Sequence, residues 1–350
     1  MPPGIAAGPR LVPLWRAEVG DAPLAMAFSR DGAWLAVASG DGEVVVLDSA
    51  LGRPLSCWAA HGMGALAVDV AADGLIATGG QDGQVAFWRA EHEAAVQRGE
   101  GAPDGEARRR PWVEHVRWSP DGQVCATAAG AHVALWNADG SLRRRFAPIA
   151  STVADLQWLP DGQHLSAVGY GGVTLWHRDR EVAVEQRAWK GSFLCHAWAP
   201  TGRWLAAGMQ ESAVHIFEVA TKGDLEMSGY SRKVQRLSWS ADGKRLITNG
   251  GAYGTVWNFA GKGPAGTTPI SLPGHALPVA DVAFHRQGLW VATAGEDGQV
   301  LMWDLTTSSK RAERAGFFPA PAFRVGWHPR ERRVVSLHQS GHVLGWPTIR

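Results

Sequence analysis

Cysteine is scarce: Cys57, Cys125 and Cys195 stand far apart in a chain of 350 residues. They form no CxxC pair and no short-spaced, even-numbered framework, which argues against structural zinc and a disulfide-stapled fold. An excess of charge of either sign is also lacking. Lys and Arg number 34 against 33 Asp and Glu, a formal net charge of +1. No overall basic field is present to attract nucleic acid or an anionic membrane surface. No run reaches the roughly 18 apolar residues of a membrane span. The opening residues from Met1-Pro2-Pro3-Gly4 lack a charged start followed by an apolar stretch, and so do not read as a signal peptide. The expectation is a cytoplasmic protein with no membrane association, for which nucleic acid is not the expected partner. No segment longer than about ten residues shows clean helical periodicity.

What the chain does contain is a long-period repeat. Short apolar segments ending in an aromatic residue recur, among them Val85–Arg89, Val133–Asn137, Val173–His177 and Val300–Asp304. The anchors are Leu47, Trp88, Trp136, Trp176, Phe217, Trp257, Trp303 and Trp346, at intervals of 41, 48, 40, 41, 40, 46 and 43 residues. Such spacing fits units of four short strands, each burying its apolar face against its neighbours. Upstream of each anchor, an apolar strand ends in Phe or Trp and enters a turn, as in Phe28-Ser29-Arg30-Asp31-Gly32, Trp118-Ser119-Pro120-Asp121-Gly122 and Trp239-Ser240-Ala241-Asp242-Gly243. Glycine supplies the positive φ of a tight turn, and Asp bonds the backbone ahead of it. A second turn recurs at Asp41-Gly42, Asp82-Gly83 and Asp297-Gly298.

The 18 tryptophans follow the same register. Trp118, Trp158, Trp198, Trp239 and Trp327 close the first strand of a unit, and six others are anchors. Trp34, Trp204 and Trp290 open the second strand, while Trp15, Trp58 and Trp189 fall in outer strands. Only Trp112 has no such place. These are packing residues rather than an aromatic ligand site.

With these landmarks the chain resembles the WD-repeat family over essentially its whole length. The best-matching unit runs through Leu272-Pro273-Gly274-His275, Val279–Phe284, Ala292–Gly298 and Trp303-Asp304. The resemblance implies an all-β propeller with eight four-stranded blades; seven blades is the alternative. It is read as a single domain over residues 1–350. The units cover approximately 24–60, 65–110, 113–150, 153–190, 193–230, 234–272, 279–317 and 322–347, the last completed by 11–18. The segment 11–18 resembles the outer strand around Trp58, and its pairing with the last unit would protect an exposed strand edge.

The resemblance also implies a hydrogen-bonded tetrad within a blade. The matching positions are His275, Thr293, Asp297 and Trp303, with a second set at His61, Thr78, Asp82 and Trp88. A His–Asp–Thr set invites comparison with a hydrolase triad. Its recurrence in two units, and a threonine within a strand, argue for structure instead. Units 3, 4 and 6 carry Gly130, Tyr170 and Gly251 near the turn Asp, and unit 8 has Arg330-Glu331 in place of Asp-Gly.

WD-repeat proteins often bind partners on the face bearing the loops that lead into each blade. The first-strand positions that match that rim are Ala25, Ala67, His115, Asp155, Cys195, Arg236, Asp281 and Arg324, joined by Gln81, Gln210, Glu296 and Gln339 before the second turns. The implied role is a non-catalytic scaffold or adaptor for another protein or peptide, a monomer requiring no cofactor and no metal. The competing reading is a propeller enzyme or metal-dependent factor, for which His115, Asp155 and Cys195, on consecutive units, are the residues to examine. The tight basic runs are Arg108-Arg109-Arg110 and Arg143-Arg144-Arg145, without the aromatic interleaving of a single-strand binder.

Overall fold

The computed structural model describes residues 10–91, 94–103, 110–307 and 311–347, and among them the regular structure is entirely strand. The repeating turn is built locally. In repeat 1 the Ser29 hydroxyl donates to Asp31 Oδ1 (2.7 Å), which also accepts the Ala33 amide (3.0 Å), and Gly32 takes φ +79°. Repeat 6 builds the same turn from Ser240, Asp242 and Gly243, at φ +65°. In repeat 8, where Asp-Gly is missing, His328 takes over: its Nδ1 accepts the amides of Arg330 (3.2 Å) and Glu331 (3.0 Å).

The strands pair antiparallel in chain order. In repeat 1 they are Pro23–Phe28, Trp34–Ser39, Glu43–Asp48 and Pro54–Ala59; in repeat 7 they are Val279–Phe284, Trp290–Gly295, Gln299–Asp304 and Arg314–Phe317. The expectation of eight blades is corrected, because hydrogen bonding groups the strands into seven sheets, the number of the alternative. The reason lies in repeats 4 and 5, which share one sheet. Extended backbone runs unbroken over His164–His177, through Gly171 and Gly172 at φ +96° and +129°, and again over Ala183–Trp198. The second of these strands ends one repeat and begins the next: its Ala183–Arg187 stretch pairs with Val173–Trp176, and its Phe193–Trp198 stretch with Leu205–Met209.

The N-terminal segment is divided between two sheets. Trp15–Glu18 lies beside His342–Trp346 as the fourth strand of the last sheet, and the Leu14 amide donates to the Gly345 carbonyl (2.7 Å). Of the expected strand 11–18, Leu11 falls outside that fourth strand and belongs to the short strand Arg10–Leu11. This short strand instead pairs parallel with Ala315 and Gly316 of repeat 7.

The chain forms two compact units, one of residues 17–192 and one of 1–16 with 193–350. The first holds repeats 1–4 and the second repeats 5–8. Within each, apolar clusters lie between consecutive repeats: Val44, Trp58, Val68 and Trp88 join repeats 1 and 2, and Trp290, Met302, Val325 and Trp346 join 7 and 8. An aromatic side chain buries about 150–250 Å², a gross gain of roughly 4–6 kcal/mol as an upper bound. Trp88, Trp136, Trp303 and Trp346, almost wholly buried, are therefore the main packing elements. First-strand tryptophans add a polar link. Trp158, Trp239 and Trp327 each donate their indole N–H to a carbonyl of the preceding repeat, at Arg117, Ala197 and Ala283 (2.9–3.0 Å).

Candidate interaction face

The tetrad residues meet. In repeat 7, His275 Nδ1 lies 3.0 Å from Asp297 Oδ1 and its Nε2 lies 2.8 Å from Thr293 Oγ1, while Trp303 Nε1 donates to the same hydroxyl at 3.4 Å. In repeat 2, His61 Nδ1 is 3.0 Å from Asp82, its Nε2 is 3.0 Å from Thr78, and Trp88 donates to Thr78 at 3.0 Å. Asp297 further accepts the Ala276 amide (2.7 Å) and the Gln299 side chain (2.8 Å). Burial pushes its carboxyl pKa up, but the His275 hydrogen bond and charge, with these other donors, outweigh burial and hold it down at about 2. Thr78 and Thr293 are buried and hydrogen-bonded, so neither set presents an accessible nucleophile.

The tetrad also has variants that the sequence motif does not reveal. In repeat 8, Trp346 Nε1 donates to Ser336 Oγ (2.8 Å), which lies 2.9 Å from His338 Nε2, and His338 Nδ1 meets the Ala320 carbonyl (2.9 Å). In repeat 6, Tyr230 takes the place of histidine: its hydroxyl accepts from Trp257 Nε1 (2.7 Å) and bonds Thr248 Oγ1 (2.8 Å). Repeat 3 keeps Trp136 donating to Thr127 (2.9 Å). One position sorts these cases, two residues after the strand hydroxyl. Where the ring comes from the preceding loop, this position is glycine, because a Cβ on Gly80 or Gly295 would collide with His61 or His275, and one on Gly250 would sit 2.5 Å from Tyr230 Cδ1. In repeat 8 the position is His338 itself.

Several rim candidates hold the framework together. Asp281 is buried; its carboxylate accepts the amides of Val282 (3.0 Å) and, in the next repeat, Val325 (2.9 Å), and lies 3.6 Å from Arg236 Nε. Asp155 is buried and accepts the Leu156 amide (2.9 Å). Cys195 is buried, with its Sγ 3.6 Å from the Val234 carbonyl. Gln81 accepts the Gly64 amide (3.2 Å). His115 is partly exposed, and Gln210, Glu296 and Gln339 are exposed. His115 and Asp155 belong to one compact unit and Cys195 to the other. Among the described residues no three His, Cys, Asp or Glu side chains are grouped to hold a metal ion.

Three arginines of the basic runs are engaged in structure, whereas Arg144 keeps a buried Nη1 without a hydrogen-bond partner among the described residues. Arg143 pairs with Asp179 (2.5 Å), Arg110 with Glu100 (2.7 Å), and Arg145 donates to the Glu100 and Gly101 carbonyls. Arg108 and Arg109 lie outside the described residues.

Arg236, Glu296 and Arg324 do come together. They line a cleft of about 220 Å³ with Arg232, Lys233 and Gly250, among the loops of repeats 6–8. Beside it lies a second hollow of about 290 Å³, walled by Tyr230, Tyr253 and Trp257, and the two share Gly250 and Gly251. Asn249 shapes both. Its Oδ1 accepts the amides of Gln235 (2.9 Å) and Arg236 (3.0 Å), and its Nδ2 donates to the Val279 carbonyl of repeat 7 (3.1 Å). Those two amides are thus withdrawn from sheet pairing, and the first strand of repeat 6 begins only at Leu237. The rim spacing located Arg236, Glu296 and Arg324 but gave no sign of Asn249, Arg232 or Tyr253.

Comparison with known proteins agrees with this architecture. A family profile described as WD domain, G-beta repeat matches residues 20–48 and 266–304. The Target of rapamycin complex subunit wat1 of Schizosaccharomyces pombe is 33% identical over 115 residues, 33% of this chain and 35% of that protein. The Target of rapamycin complex subunit LST8 of Mus musculus is 34% identical over 77 residues, covering 22% and 24%. The F-box-like/WD repeat-containing protein TBL1X of Mus musculus is 25% identical over 151 residues, covering 39% and 27%. The matches span about a third or less of the length of these relatives. A computationally designed protein, Ika8, has the same fold, with a TM-score of 0.79 at 18% identity over 95% of this chain and 99% of its own. The class is a β-propeller, and the chain is similar to WD-repeat proteins in the segments that these comparisons match.

Proposed function

We propose that this protein is a non-catalytic scaffold, a cytoplasmic single-domain adaptor that binds another protein through the loops leading into its repeats. The cleft of Arg232, Lys233, Arg236, Glu296 and Arg324 carries this reading. The tetrads and the buried rim carboxylates are engaged in the framework, whereas the cleft gathers charged side chains at the surface. Its volume falls below the roughly 300–1,000 Å³ of pockets that enclose small molecules, which favours side chains of a partner over a buried cofactor or substrate. Relatives named as subunits of a larger complex agree with that role.

Affinity capture with the whole chain as bait tests it, with the Arg236→Glu/Arg324→Glu double variant alongside. The expected result is a protein recovered in stoichiometric amount by the wild-type bait and lost by the variant. A wild-type bait that retains no protein in such amount overturns the scaffold reading.

A further inference from the structure

Repeat 6 departs from its neighbours where exposed charge and exposed aromatic surface coincide. Four cations, Arg232, Lys233, Arg236 and Arg324, line the cleft with Glu296, Arg236 being paired with the buried Asp281, in a chain whose net charge is only +1. Arg232 and Lys233 are exposed and have no ion-pair partner among the described residues. Across the Gly250-Gly251 ridge, Tyr253 is 54% exposed and faces the hollow with Tyr230 and Trp257. The hydrogen bonds of Asn249 to the Gln235 and Arg236 amides and the Val279 carbonyl fix the backbone lining the cleft, which lowers the ordering cost of binding.

We propose that this double hollow recognises an acidic linear segment of the partner protein, with carboxylates in the cationic cleft and an adjacent aromatic or apolar side chain against Tyr253. The inference rests on the scaffold reading and names the partner's chemistry. Charge complementarity selects the acid: even with Asp281 beside Arg236, the cations of the cleft outnumber the carboxylates, which attracts acidic and repels basic peptides. Exposed tyrosine beside the cleft suits a side chain with a flat apolar surface. A single small cleft in a charge-balanced chain does not offer the extended phosphate track of nucleic-acid binders.

A phage-displayed library of random twelve-residue peptides, selected on the intact protein, tests the proposal. The selected peptides should be rich in Asp and Glu around one aromatic residue, and should bind more weakly as salt rises. The Arg232→Glu/Lys233→Glu variant changes two exposed side chains and should melt like the wild type while binding at least tenfold more weakly. Tyr253→Ala should weaken binding severalfold at all salt concentrations. Selection of peptides without acidic residues, unaltered binding by the double variant, no selection at all, or tighter binding of a single-stranded oligonucleotide of equal charge would each overturn it. A variant that loses the selected peptides yet still captures the cellular partner would refute this inference while leaving the scaffold reading standing.

Discussion

Repeats 6 and 7 are neighbours built on one strand plan, yet they differ at the same point. In repeat 7, His275 and Asp297 close the loop onto the strand hydroxyl of Thr293, and the first strand runs the full six residues Val279–Phe284. In repeat 6 the ring is Tyr230, which bonds the hydroxyl and the indole but has no aspartate behind it, and the first strand shrinks to Leu237–Trp239. Asn249 then holds the amides of Gln235 and Arg236 just before the shortened strand, and two hollows open at the surface. The comparison teaches that the tetrad aspartate fastens loop to strand in repeat 7, and that repeat 6, which lacks it, leaves two hollows at that place.

The largest effect should come from removing that fastening. Asp297→Ala leaves His275 buried and deprives the Ala276 amide and Gln299 of their acceptor. The expected loss is about 2–4 kcal/mol in urea unfolding, between the cost of an unsatisfied buried group and that of a broken buried pair. An unchanged midpoint would remove the fastening role.

Acid should reveal a second difference, because repeat 8 places a histidine where repeat 7 has glycine. Burial holds the His338 pKa down at about 4, with His342 adding to the depression and the Ala320 carbonyl opposing it. The folded state keeps this group neutral while the unfolded chain protonates it near pH 6.5. Its contribution is therefore complete above pH 6.5 and falls away as the pH drops towards 4, by on the order of 3 kcal/mol. Asp297 acts lower: its contribution is present above the ordinary carboxylate range and lost as pH falls from about 3.8 towards 2. Urea unfolding of the wild type and His338→Asn between pH 7 and pH 4 checks the first window, in which the variant should lose most of the slope.

Overpacking comes next. Gly295→Ala pushes into His275 and Gly250→Ala into Tyr230, so each should cost about 1–3 kcal/mol by thermal or urea unfolding. Gly250 also holds φ +132°, which a side chain rarely adopts, so alanine there adds backbone strain. Smallest is Tyr230→Phe, which keeps the ring and removes one hydroxyl from between Thr248 and Trp257. A loss of about 1–2 kcal/mol is expected; a loss matching that of Asp297→Ala would erase the contrast between the repeats.

Much of the strand plan was legible because its causes are local. Asp31-Gly32 and Asp242-Gly243 make their turns with their own neighbours. An anchor such as Trp303 is marked by the apolar strand around it. The two tetrads were legible because histidine, threonine, aspartate and tryptophan all stand in recognisable register. Tyr230 escaped notice because its residue type differs, although it stands 18 residues before Thr248 just as His275 stands 18 before Thr293. His338 did so because it reaches the hydroxyl of Ser336 from its own strand. Residue type hides Tyr230, and the collision geometry at Gly250 shows that its ring occupies the histidine's place.

The sequence by itself determined the period, the anchors, the turns and the rim register, because each depends on strand pleat, backbone φ and the burial of a few apolar side chains. Tertiary structure alone decided that repeats 4 and 5 merge into one sheet, that the N-terminal segment divides between two sheets, and that Arg232, Arg236, Arg324 and Tyr253 surround one ridge. Those outcomes depend on the approach of backbones distant in sequence, on which donors they satisfy, and on the space left where a fastening aspartate is missing.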